Sequence, residues 1–139
     1  MITKPYNLYI GRYQVPHKGH MFIFNEMLKI GESICIAIRD VAPDEKNPFT
    51  AEQVKSLWEK IYAGNNLVKI IIIPDIKSVK YGRNVGYAVE EIVVPQNIAG
   101  ISATEIRNGI KNYTEDWKQF VQEDIWEDVK KLILDSEFV

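Results

Sequence analysis

The chain has 139 residues, enough for one hydrophobic core but not for two, and its 46% hydrophobic and 26% charged residues are ordinary for a soluble globular protein. A formal net charge of −2 argues against a general nucleic-acid or anionic-membrane surface and leaves room only for a local cationic pocket. The single cysteine, Cys35, excludes an intrachain disulfide, no signal peptide is read, and every apolar run falls far short of the roughly 20 residues of a membrane span, so a cytoplasmic protein is expected.

Tyr6, Leu8 and Ile10 mark a first strand. The stretch Gly11–His20, GRYQVPHKGH, follows it and runs into Met21, Phe24, Met27 and Leu28, the spacing of a buried helix face that Gly31 ends. Ser33–Arg39 reads as a strand buried on both faces, with Cys35 inside it as a core residue. After a polar loop carrying Asp44, Glu45 and Lys46, Thr50 and Gln53 have capping-box spacing. Val54, Leu57, Trp58, Ile61 and Tyr62 form the stripe of a second helix, ended by Gly64. Leu67–Ile73 is a third strand, stopped by Pro74.

Beyond Pro74, Val79–Tyr81 is read as a short strand, Gly82 and Gly86 as a turn around Arg83, and Val89–Val94 as a last strand. That spacing is tight, because parallel neighbours need a crossover of about a dozen residues. Ser102 and Glu105 are read as a second capping box at the start of the Ile101–Ile110 helix. Trp117, Phe120, Val121, Ile125, Val129, Leu132 and Ile133 give an amphipathic helical tail over about 115–135, expected as core cover or a subunit contact, which leaves a homo-oligomer open. The whole is expected to be one α/β domain, 1–139, with a doubly wound, Rossmann-like parallel sheet of about five strands and helices on both faces. In such a fold the polar segments after each strand converge on one cleft: the histidine turn, the Lys46 loop, the Gly82–Arg83 turn and the Ser102 helix start.

Both histidines of the chain, His17 and His20, flank Lys18 and Gly19 at a helix start, where free N–H groups and the helix dipole favour an anion. Two imidazole donors, with Gly19 allowing close backbone approach, suit an anion that gains charge during reaction. The pattern lacks the second glycine and lysine of a Walker loop, and no cysteine or carboxylate sits at a zinc-ligand spacing, so no protein metal site is read. At the later helix start, Arg107 can lean back toward an anion held by Ser102, Thr104 and free backbone N–H groups.

HKGH after a first strand and ISATEIR at a late helix resemble the HxGH and ISSTxxR signatures of the nucleotidyltransferase superfamily. Within it, GRYQVPHKGH and NPFTAEQ are similar to nicotinamide-mononucleotide adenylyltransferases, while the short chain is similar in size to small cytidylyltransferases. The sequence departs from the adenylyltransferase pattern at Pro16 and Ala103, and its Pro74–Tyr87 segment is short and lacks a tryptophan. The resemblance implies transfer of a nucleotidyl group from ATP, or alternatively CTP, to a small phosphomonoester, with pyrophosphate released. It implies His17, His20 and Lys46 as catalytic residues and Gly11, Arg12, Gly19, Gly82, Ser102, Thr104 and Arg107 as nucleotide-binding ones. Magnesium would arrive with the triphosphate. A nucleotide-binding sensor without turnover is the reading from another class.

Overall fold

The computed structural model of the protein describes residues 4–138; the outermost residues of the 1–139 expectation lie outside it. Strands β1 (Tyr6–Gly11), β2 (Ser33–Asp40) and β3 (Val68–Pro74) alternate with helices α1 (Lys18–Leu28) and α2 (Ala51–Ile61). All strands are parallel, in the order β1-β2-β3, with Tyr9 opposite Ile36 and Ile36 opposite Ile70. Thr50 and Gln53 do form the capping box of α2, and Gly31 and Gly64, just past the two helices, take the left-handed φ of +81° and +78° that an end of helix asks for.

Two successive right-handed crossovers that step the same way across a sheet put both helices on the same face. That face carries Tyr9, Ile34, Ile36, Ile38, Val68, Ile70 and Ile72, and it packs under Phe24 of α1 and Trp58 of α2, whose rings lie 5.2 Å apart. Ile34, Ile36 and Ile38 are fully buried, each contributing about 1.5–3 kcal/mol. The other face alternates out from the same strands, and there Leu8 is 58% exposed.

The α/β, Rossmann-like class is therefore present, while the five-strand, two-faced form is not. Among the described residues the sheet has three strands, and Val79–Tyr81 and Val89–Val94 form neither strand nor helix. The reason is the missing crossover: positive φ at Asn84 and Gly86 turns the short chain, and Val79, Tyr81, Val89 and Val93 are left exposed instead of alternating against a neighbour.

Helix α3 (Gln96–Ala99) packs beside α1, and α4 (Ala103–Lys111) follows it. The tail is not one long helix. Two 3₁₀ turns, Asp116–Phe120 and Glu123–Ile125, precede α5 (Trp126–Asp135). Extended backbone at Val121 breaks the run, and the Trp126 indole N–H donates to the carbonyls of Val121 (2.7 Å) and Lys118 (3.1 Å) that a helix would otherwise have used. Trp117, Val121, Ile125, Val129 and Ile133 are nonetheless buried in the core with Ile106 and Ile110 of α4. No helix among the described residues is long and apolar enough to cross a membrane.

Candidate active site

The turn from β1 into α1 is built on its histidines. His17 is the N-cap of α1, and its Nδ1 accepts the Gly19 N–H at 3.0 Å. His20, three residues on, returns the bond: its Nδ1 accepts the His17 N–H at 3.1 Å. This is a capping box with imidazoles in the places usually held by a hydroxyl and a carboxylate. It has a chemical consequence. With both Nδ1 atoms accepting, the hydrogen-bond network assigns the ring protons to Nε2, so each histidine offers one N–H donor. The rings stack 3.7 Å apart at 19°, so the two donors act as a pair.

Gly19 is required by this packing. A Cβ there would stand 2.7 Å from Cε1 and 2.9 Å from Nδ1 of His17, so any side chain would push the ring away. Both imidazoles are held neutral. Burial pushes His17 down to about 4, and burial, followed by the repulsion that a second proton on the pair would meet, holds His20 well below the usual histidine range.

The second motif touches the first. Ser102 caps α4, its Oγ accepting the Glu105 N–H at 3.3 Å, but the Glu105 side chain does not return the bond, so the second capping box is only half formed. Arg107 is 7% exposed; its Nη1 donates to the Gln14 carbonyl, 93 residues away in sequence, and its Nη2 donates to Thr104 Oγ1 at 3.3 Å. Ile101 comes within 3.6 Å of the position a Gly19 Cβ would take. Arg107 thus ties the two helix starts together, a role that spacing alone does not reveal. Two of its five N–H groups are engaged in this way.

Gln14 was not singled out by sequence as a site residue. Its buried amide donates to the Phe49 carbonyl (3.0 Å) and accepts the Phe49 N–H (2.9 Å), fastening the loop after β2 to the histidine turn. Nothing in the spacing of a glutamine and a phenylalanine 35 positions apart signals such a clamp. In the same loop, hydrogen bonds from Asn47 and Lys46 to Asp44 hold that carboxylate below its usual range, with the charge of Arg12 a smaller cause in the same direction.

Of the residues expected at the site, His17, Gly19, His20, Ser102, Thr104 and Arg107 are brought together, while Arg12 is exposed and has no hydrogen bond or ion pair to them among the described residues. Lys46 is exposed in the clamped loop, where its N–H donates to Asp44. Gly11 lies under the Tyr13 ring, whose Cζ a Cβ would meet at 2.9 Å, which gives it a packing role. Gly82 stands in the exposed segment with open space around it, and no contact joins it to the motifs among the described residues.

The arrangement gathers donors at two joined helix starts, the paired imidazoles and the Arg107 guanidinium, a chemistry suited to phosphate-like oxygen. Residues 8–70 match the family model described as cytidylyltransferase-like. That match covers a little under half of the chain. Nicotinamide-nucleotide adenylyltransferases of Pyrobaculum arsenaticum and Pyrobaculum aerophilum are 37% and 35% identical to it over 71 residues. That alignment covers 48% of this chain and 40% of each relative, so the chain matches well under half the length of either. These matches support the nucleotidyltransferase resemblance carried by HKGH; the family match ends before Ile101–Arg107, which the hydrogen bond to Gln14 joins to it.

Proposed function

We propose that the protein is a nucleotidyltransferase that moves AMP from ATP to a small phosphate-bearing acceptor. The observation that carries this reading is the stacked, doubly capped histidine pair joined through Arg107 to the second helix start. In the reaction an acceptor phosphate oxygen attacks the α-phosphorus, the bond from the α-phosphorus to the bridging oxygen breaks, and pyrophosphate leaves with that electron pair. The acceptor is already a nucleophile, so catalysis is positioning plus neutralisation of charge. His17 and His20 supply neutral Nε2–H donors to the α-phosphate as its charge grows. Ser102, Thr104 and Arg107 hold the β- and γ-phosphates, and Arg12 and Lys46 add positive charge at the rim.

The site's own donors are imidazoles and cations, which do not suit a magnesium ion, so in this reading the metal is bound by phosphate oxygens and no step is assigned to it. ATP is favoured by the likeness of Gly11–Gln14 and Pro48–Gln53 to the adenylyl branch and by the similarity to the two Pyrobaculum adenylyltransferases. Nicotinamide mononucleotide is the first acceptor to try, with Tyr81 or Tyr87, both exposed, as faces for its cationic ring. The cytidylyl reading has its own support in the family description matched by residues 8–70.

The test is pyrophosphate release with ATP and CTP in competition at equal concentration, with magnesium, over a panel of phosphomonoesters. AMP in the product is expected. A clear preference for CTP transfers the assignment to the cytidylyl reading. Nucleotide binding with no release over the whole panel favours a sensor.

A further inference from the structure

Tyr13 is the most strained large residue of the turn. Its φ of +53° lies in the left-handed region, which a bulky L-residue seldom occupies unless its surroundings hold it there. What holds it is visible. Its hydroxyl donates to the Tyr9 carbonyl at 3.1 Å, and its ring lies over Gly11, where any Cβ would collide with it. The ring is 7% exposed and stands edge-to-face against Trp58 (5.4 Å, 89°) and Phe24 (6.0 Å, 65°). The remaining neighbour is His20, at 4.9 Å and 84°.

His20 therefore has three aromatic neighbours: His17 stacked at 3.7 Å, Trp58 edge-on at 5.9 Å, and Tyr13. Only one hydrogen bond, from the His17 N–H to Nδ1, sets which way its ring faces. An imidazole held by one bond can flip about χ2, which puts Cδ2 where Nδ1 stood and frees the proton to move between the nitrogens, unless its flank is closed. Tyr13 closes it.

We infer that Tyr13 is a positioning residue for His20: its strained backbone and tethered hydroxyl press the ring against the imidazole, keeping Nδ1 on the His17 N–H and Nε2–H free as a donor. The inference rests on the proposed function only for the use to which that donor is put. A plain core tyrosine would fill space equally well and leave the tautomer untouched, which separates the two roles.

The experiment is long-range ¹H–¹⁵N correlation of the histidine ring nitrogens in the whole chain, for the parent, Tyr13→Leu and Tyr13→Phe. The parent is expected to show His20 as a single Nε2–H tautomer. Tyr13→Leu should move both nitrogens toward averaged values and lower kcat by about tenfold to a hundredfold, with KM for ATP within about threefold. Tyr13→Phe keeps the ring but loses the tether to the Tyr9 carbonyl, and should fall between the parent and Tyr13→Leu in both readouts; an effect as large as that of leucine would overturn the ring's role. A folded Tyr13→Leu with the parent's His20 nitrogen shifts overturns the inference. So does a parent whose His20 already averages its tautomers, an outcome that does not depend on any variant folding. Because the nitrogen shifts are read without substrate, an inactive parent would sink the proposed reaction and leave this test standing.

Discussion

The histidine turn and the segment from Asp75 to Pro95 are similar in polarity pattern but opposite in physical state. In the turn, Tyr13, Gln14, Val15 and His17 are all buried, and hydrogen bonds reach from it to the loop after β2 and to α4. In the segment, Val79, Tyr81, Tyr87, Val89 and Val93 are exposed, the last at 89%, and Arg39, through Asp75 and Ile76, ties down only its first residues. Glycines, aromatics and a basic residue occur in both. What differs is whether a strand delivers the chain into a helix. Where it does, the backbone N–H groups of the helix start are free to bind side chains, and the turn becomes rigid. Where no helix follows, the same residue types have nothing to pack on.

The largest expected effect lies in the turn. His20→Ala should lower turnover by about 10²–10³ while weakening ATP binding much less, since the lost donor meets charge that develops in the transition state. Steady-state kinetics read this directly, and a variant keeping more than half the parent rate removes His20 from the mechanism.

Acid should attack the same place. His17 is neutral when folded, with its pKa pushed from 6.5 to about 4 by burial, so the unfolded chain binds the proton first as pH falls. Its contribution to stability is full above about pH 6.5 and is lost progressively down to about pH 4, a difference of about 3 kcal/mol. Urea midpoints measured from pH 7 to pH 4 should fall over that interval, and His17→Gln should flatten the fall.

Arg107→Lys comes next. A point charge cannot bridge the Gln14 carbonyl, Thr104 and a phosphate as a guanidinium does, so triphosphate binding should weaken by about tenfold and monophosphate binding by less. Equal weakening of both, measured by calorimetry, would confine Arg107 to joining the two helix starts.

The smallest effect belongs to the exposed segment. Val93→Ser should change stability by no more than about 0.5 kcal/mol, because the side chain is already in water. A loss of several kcal/mol in denaturant melts would mean that the segment is packed in solution.

The same contrast explains what the sequence makes legible. Three strands, two helices and the Thr50–Gln53 capping box follow from periodicity and turn chemistry, which are local, while the meeting of HKGH with ISATEIR is expected only from the rule that parallel sheets bind ligands at the carboxyl ends of their strands. The Gln14–Phe49 clamp, the Arg107 bond to a distant carbonyl and the reciprocal histidine caps are tertiary, and no pattern of residue types announces them. The two extra strands fail for the opposite reason. Val79–Tyr81 and Val89–Val94 have β-type composition, but composition makes a strand only where a neighbouring strand can pair with it. The tail misleads over continuity alone: its apolar positions are buried as the spacing demands, while the Trp126 indole takes the carbonyls that would have carried one helix through.

The most direct measurement of the central claim is a backbone amide titration of the whole chain with ATP and magnesium, following each assigned residue by NMR. Shifts should cluster on Gly11–Met21 and on Ile101–Arg107, with Lys46 and Asn47 joining through the clamped loop, while Val89–Val94 stay unmoved. Shifts confined to the exposed segment, or none at millimolar ATP, would contradict the assignment of the histidine turn as the phosphate site.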